Sequence, residues 1–300
     1  MAPIPPRVND TRSLIFRAIA ERQEDSRRAH LGASVIGRQC ERQLWYSFRW
    51  ALTVRHDGRL LRLFSRGHLE EPRIVADLRR IGMTVMDVDP DSGRQWTVRD
   101  AEGHFGGSMD GVGLGVPEAP ATWHLLEFKT HSAKSFADLQ KKGVQGSKPE
   151  HYAQMQVYMH LASLTRALYI AVNKDDDDLH CERVHYDAGE AIRLVEKARR
   201  IVRADGPPPR MSEDPAFYLC RWCDYRNLCH GADLPERNCR TCMHSTPVDG
   251  GAWACALGHD MGTGREALPC HRYIPGLVPR EQVDVRGDTV IYDGWEDDGR

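Results

Sequence analysis

No apolar run in this 300-residue chain approaches the roughly 18 residues that a membrane-spanning helix needs, and even "LASLTRALYIAV" is broken by Arg166. The opening "MAPIPP" lacks a charged segment followed by a hydrophobic one, so no secretory leader is expected and the protein reads as cytoplasmic. Internal repeats and long low-complexity tracts are absent too, which argues against a solenoid or an extended disordered region. A strong net charge is also missing: −2 overall excludes a uniformly basic protein that coats nucleic acid. The charge is unevenly spread, however, with 16 arginines against 9 acids in residues 1–80 and 2 arginines against 7 acids in residues 281–300. A basic N-terminal region can face a polyanion, or it can be a set of solvated helix faces.

What is present is enough apolar sequence, 41% beside 28% charged, for one large domain with an appendage. Helical periodicity covers residues 12–29, 38–52 and 60–82, where Pro72 either kinks the helix or starts a new one. Strand texture follows at 83–88, 94–98, 104–115 and 122–130, with turn signals that predict a hairpin meander. Helices at 133–142 and 149–163, strands at 166–173 and 180–187, and a helix at 188–204 complete a mixed α/β pattern. "GPPPR" (206–210) then ends the last helix, and "GADLPER" (231–237) marks a second boundary.

The chemistry gathers around "HLLEFKTHSAK" (124–134). Strand alternation points Glu127 and Lys129 to one face and Phe128 to the other, into the core. Upstream, Asp110 sits in "GGSMDGVG", where glycines allow close backbone approach, and two paired strands can bring Asp110 and Glu127 to one metal ion. Carboxylates are the hard oxygen ligands that a divalent metal needs to activate water for phosphodiester hydrolysis. Lys129 beside them can orient or deprotonate that water, or stabilise charge developing on phosphorus. His68 and Glu71 lie at i, i+3 on the 60–82 helix, and Gln154 and Tyr158 at i, i+4 on a later one. Each alone has an ordinary structural explanation: a surface histidine, a core tyrosine, a solvated strand edge.

In that order the residues resemble the PD-(D/E)XK nucleases, over about residues 30–230. The likeness is to the branch that holds the RecB nuclease domain, the RecB-like nuclease of CRISPR adaptation and the YqaJ-type phage recombination exonucleases. The resemblance implies an α/β (α+β) restriction-endonuclease-like core with a central mixed sheet flanked by helices. It also implies that Asp110 and Glu127 bind Mg²⁺ or Mn²⁺ with the Phe128 carbonyl, that His68 is an additional ligand, and that Lys129 is catalytic. Glu71, in "GHLEEP", matches the phage-exonuclease form and His68 the RecB form, which leaves open which of them reaches the metal. Gln154 and Tyr158 would position the DNA strand, and Lys134, Lys141 and Lys142 would contact phosphate.

Seven of the nine cysteines fall between 220 and 270, which without a secretion signal favours metal ligation over disulfides, most simply as four, four and one spare. "CRWCDYRNLC" supplies Cys220, Cys223 and Cys229, with Cys40 as the natural fourth. The family likeness implies a [4Fe–4S] cluster there, although four thiolates also suit zinc. Cys239, Cys242, Cys255 and Cys270 look like a small zinc-ribbon-type module for Zn²⁺, with His244, His259 and His271 as possible substitutes. So short a segment is expected to draw most of its folding free energy from metal. Cys181, on a strand, is expected to be a buried core thiol.

The expected organisation is a helical arm (1–30), a nuclease core closed by four cysteines (31–232), a zinc module (233–280) and an acidic tail (281–300). The expected function is a metal-dependent DNA exonuclease of recombination, repair or phage replication. DNA is the expected substrate, and a single-strand annealing recombinase or similar protein a candidate partner. The competing reading is a non-catalytic DNA-binding adaptor that docks a recombinase or a CRISPR adaptation complex.

Overall fold

The computed structural model describes residues 10–23, 27–231 and 233–261, and the backbone of three short strands between 283 and 297. The N-terminal helices start where polar side chains accept the unpaired backbone N–H groups of the first turn. α1 (Thr11–Glu21) begins at Asp10, whose carboxylate accepts from Ser13 N at 2.8 Å. After a two-residue strand, β1 (Leu31–Gly32), Cys40 opens α2 (Glu41–Phe48) with its thiol accepting from Gln43 N. α3 (Gly58–Arg80) starts at Asp57 and runs through Pro72 as one helix. Among the described residues no helix is long and apolar enough to cross a membrane.

The strands that follow are β2 (Thr84–Met86), β3 (Thr97–Asp100), β4 (Phe105–Ser108), β5 (Gly111–Leu114) and β6 (His124–His131). They do not form the predicted meander. The apolar stretch 104–115 breaks at Met109 and Asp110 and divides between two sheets: β1-β4-β3, and the central sheet β2-β5-β6-β7-β8. Glycine makes the first sheet possible, because Gly106 has φ +154° and a Cβ there would lie 2.0 Å from the Val98 carbonyl oxygen.

From β6 the chain crosses through α4 (Ala133–Ser147) and α5 (Pro149–Leu161) to β7 (Arg166–Asn173), then returns along β8 (Leu179–His185) into α6 (Ala188–Arg203). β6 and β7 pair in parallel and the other neighbours antiparallel, so the central sheet is mixed and flanked by helices. α4 kinks at Gly143 (φ +68°), where the Glu182 carboxylate takes the Val144 N–H, so its regular part ends where the sequence predicts.

Alternation along β6 feeds two cores. Leu126 and Phe128 pack with Ile74, Val75 and Leu78 of α3. Leu125 joins α2, α5 and α6 on the opposite face. Cys181 departs from expectation: it is exposed on the edge strand β8, which has a neighbour on one side only.

A five-residue helix, α7 (Arg226–His230), precedes the C-terminal segment, which forms the hairpin β9 (Ser245–Val248) and β10 (Ala252–Cys255). This segment shares the main core. Trp253 is 4% exposed and its ring lies 5.2 Å from Phe48. The fully buried Arg240 guanidinium stacks 3.8 Å from the Trp50 ring and donates to the Ala29 carbonyl at 3.0 Å. Arg49 lies over Trp253 and donates to Ser245 O at 3.0 Å. The expected acidic tail contains β11 (Val283–Arg286), β12 (Thr289–Tyr292) and β13 (Trp295–Asp297), joined in one antiparallel sheet.

Trp253→Ala should therefore destabilise the whole chain by roughly 3–5 kcal/mol, the cost of emptying an aromatic core site. Denaturant unfolding should still show one transition; a loss below about 1 kcal/mol would mean that the hairpin contributes little to the main core.

Candidate metal and active site

The middle of β6 carries the candidate site. Its Glu127 side chain is 0% exposed, with Lys129 Nζ bonded to Oε1 and Gln154 Nε2 donating to Oε2 at 3.2 Å. The same ammonium donates to the Phe128 carbonyl at 3.1 Å. Asp110, in the turn where the two sheets part, accepts the Phe128 N–H on Oδ2 at 2.8 Å and is thereby fixed beside Glu127. Met109, 5% exposed, anchors that turn in the core.

The electrostatics tie a third acid to this pair. Burial pushes the Glu127 carboxyl up to about 7; Lys129 pulls it down, while Asp110 and Glu71 push it further up. Glu71 is raised as well, first by burial and then by Asp110, against His68 and Lys129. Burial opposes the charge on Lys129, but Glu127, Asp110 and Glu71 outweigh it and raise the lysine above its ordinary range. Glu71 thus faces the acids. The His68 side chain is 79% exposed and holds Glu71 from the solvent side at 3.3 Å.

Two expected DNA contacts take another role. Gln154 and Tyr158 are 6% and 2% exposed, too deep to touch a strand. Gln154 instead holds Glu127, and Tyr158 fills space against Gly107, where a Cβ would come within 2.3 Å of the phenol oxygen. Their i, i+4 spacing is a packing and hydrogen-bonding stripe under the acid. Lys134, Lys141 and Lys142 are exposed along α4, and Lys142 pairs with Asp138 at 2.7 Å.

A cleft of about 920 Å³ opens over the site, with Glu71, Phe128 and Lys129 on its inner wall. Arg28, His56 and Lys174 also line it. Sequence reasoning missed these three because they come from three separate connections, and only the general basicity of residues 1–80 hints at Arg28. As they stand, no three His, Cys, Asp or Glu side chains among the described residues close on a common metal ion. Lys129 takes Glu127 Oε1, and the Phe128 N–H takes Asp110 Oδ2.

A second cavity, about 460 Å³, has Cys40, Cys220, Cys223 and Cys229 among its lining residues, and among the described residues no three of these thiols close on a common metal ion. The Cys40 thiol sits at the N-terminus of α2 and accepts from Gln43 N at 3.4 Å, and Arg42 Nη1 lies 3.9 Å from Cys229 Sγ. Burial, then Cys40 and Cys229, raise the Cys220 thiol; burial also leads at Cys223, with Cys40 and Cys229 adding to it. In the C-terminal hairpin Cys255 pairs in register with Ser245, three residues after Cys242, while Cys270 and His271 lie outside the described residues.

No protein-family model matches the chain, and no curated protein does. Among solved structures the chain is similar to the alkaline exonuclease LHK-Exo of Laribacter hongkongensis, alone and in complex with dAMP. Identity there is 16% over 63% of this chain and 89% of that one, with a TM-score of 0.41. It is similar also to SSO0001, at 12% identity over 74% of this chain and 96% of that one, again with a TM-score of 0.41. At these values the similarity is loose.

Two histidines near the site are held neutral. Burial, followed by lysines that include Lys129 and Lys148, depresses His131 to about 4 and His151 to about 3. In the unfolded chain a histidine takes its proton near pH 6.5. Between about 6.5 and 4 the unfolded state therefore binds protons that the folded state refuses, and stability falls with pH. Glu127 and Glu71, raised in the fold, work in the opposite direction. The histidine effect is accordingly read as a difference: the stability advantage of the native chain over His151→Asn should shrink as pH falls from 6.5 to 4. An advantage constant across that window would mean that His151 is not held neutral.

Proposed function

We propose that the chain is a divalent-metal-dependent deoxyribonuclease acting on DNA ends. The observation that carries this reading is Glu127: a fully enclosed carboxylate that feels the charges of Asp110 and Glu71, bonded to Lys129, which lines an open cleft together with Glu71. A structural ion pair needs one acid for its lysine, and three acids around one lysine suit a site that takes a further cation.

The residues fit Mg²⁺ or Mn²⁺. Lys129 Nζ already rests against Glu127 Oε1 and the Phe128 carbonyl, two of the oxygens expected to ligate, so a cation is held by this pair. Asp110, Glu127 and the Phe128 carbonyl would hold the metal, with Glu71 as the acid from α3 and His68 orienting it. When bound, the metal supplies a Lewis acid and an activated water. Lys129 holds its proton and serves as an ammonium facing the phosphate, stabilising charge that develops there. Arg28, His56 and Lys174 line the cleft as phosphate-facing groups. Gln154 keeps Glu127 in place, and the exposed lysines Lys134, Lys141 and Lys142 of α4 are further groups for phosphate contact.

To the first cysteine set, Cys40, Cys220, Cys223 and Cys229, we assign a [4Fe–4S] cluster, on the ground that all four line one cavity. The Gln43 N–H and the Arg42 guanidinium aim at the sulfurs, as suits thiolates carrying negative charge. Cys239, Cys242 and Cys255, together with Cys270, remain the proposed zinc set.

Lys129→Ala and Asp110→Asn should each lower Mg²⁺-dependent degradation of end-labelled linear DNA by at least about 100-fold, with DNA binding retained. Full activity in either variant would remove the site. Binding without degradation under any divalent metal, in the native chain, would favour the adaptor. Anaerobically purified protein should absorb near roughly 400 nm and lose that band in Cys220→Ser. A colourless, iron-free protein would eliminate the cluster.

A further inference from the structure

Beyond Lys129, the next residue on the same face of β6 is His131, and the reaction as described makes no use of it. Its Nε2 lies 2.9 Å from the Tyr169 hydroxyl, and His151 Nδ1 lies 2.9 Å from that same oxygen. The two imidazoles stack with centroids 5.8 Å apart, and Ser135 Oγ is 3.3 Å from His131 Nδ1. Tyr169 is 0% exposed and His131 8%. One buried hydroxyl therefore meets two imidazoles.

The placement of the three follows the site. Tyr169 on β7 is the register partner of Glu127. His131 comes two residues after Lys129 on β6, and His151 comes three residues before Gln154 on α5. Each member thus adjoins one of the groups that meet at Glu127. A hydroxyl has a single proton, so it donates to one ring and accepts an N–H from the other. The ring that accepts must be neutral, and burial and the nearby lysines favour the neutral form of both. Three apolar side chains would fill the same space, but they would tolerate sliding, whereas hydrogen bonds fix distance and angle.

We propose that Tyr169, His131 and His151 are positioning residues: their shared hydrogen bonds lock β6, β7 and α5 in one register and so hold Lys129 and Gln154 at the geometry that the reaction needs. The proposal rests on the nuclease reading, with Lys129 facing the scissile phosphate. It predicts a defect in turnover and not in substrate binding, since none of the three lines the cleft.

The test uses the full chain with Mg²⁺ and end-labelled linear DNA. Tyr169→Phe keeps the ring and removes the hydroxyl; kcat should fall about tenfold or more, with KM within about threefold of the native value. His151→Asn, which retains a polar atom near Nδ1, should recover much of the activity that His151→Ala loses. Tyr169→Phe with kcat within about twofold of native would overturn the proposal, as would a variant whose loss lies wholly in KM.

A readout independent of activity is the ¹⁵N spectrum of the imidazoles in the native chain. The nitrogens of His131 and His151 that face Tyr169 should differ, one carrying a proton and one bare. Two alike would overturn the bridge. A native chain that degrades no DNA under any divalent metal would overturn the nuclease reading and the positioning role with it, while the spectra would still decide whether the bridge exists.

Discussion

Enclosing the Glu127 carboxylate is the constraint on which the rest of the structure turns. A carboxylate removed from water costs several kcal/mol unless hydrogen bonds and an opposite charge replace its hydration. Here Lys129 takes one oxygen and Gln154 the other. That pair exists because of topology. β6 and β7 are parallel, and parallel neighbours need a long crossover, which is α4 with α5. A crossover packs back on the sheet it serves, so α5 lies over the face of β6 that carries Glu127, Lys129 and His131. The other face is sealed by α3 through Phe128 and Leu126. One strand thereby supplies an acid, a lysine and a core anchor in three consecutive residues.

The same helix also connects the acids to the thiol cavity. Gly37, three residues before Cys40, packs on α5 so closely that a Cβ would lie 2.9 Å from Ala153 Cβ and from Glu150 Cα. Lys197 of α6, 6% exposed, pins the same loop by donating to the Ile36 and Arg38 carbonyls. The wall of the cysteine cavity and the support beneath Glu127 are consequently parts of one packed layer. A gap left at Gly37 by a shifted loop would be felt at Gln154 through one helix.

Local regularities were legible in the sequence. The strand at 166–173 and the helix beginning at 188 stand where periodicity places them, and the alternation of Glu127, Phe128 and Lys129 holds in the fold. Spacing alone carries no burial, however. The i, i+4 pair Gln154 and Tyr158 is a pair, yet it lies under the acid and away from solvent, a fact fixed by the parallel crossover and not by its own residues. The division of 104–115 between two sheets was invisible for a similar reason, since it depends on which partners β4 and β5 find far along the chain. Arg28, His56 and Lys174 meet only in three dimensions. The tethering of the C-terminal hairpin depends on Arg240 and Trp253 entering a core built by residues 45–50. Two buried arginines stacked on tryptophans are not a pattern that hydrophobic periodicity registers.

Charge balance gives the site its direction. Asp110, Glu127 and Glu71 bring three potential negative charges around Lys129, which returns one, and of the three acids Glu71 lines the cleft. His68, largely exposed, meets Glu71. The centre is therefore short of positive charge by about two when all three acids ionise, and burial makes that shortage costly because little water is present to screen it. A structural pair would have been better served by losing two of the acids. Their retention around a single lysine, at the open end of a strand and under a cleft bordered by Arg28 and Lys174, makes sense if the missing charge arrives from solution as a divalent cation and the cleft receives a polyanion.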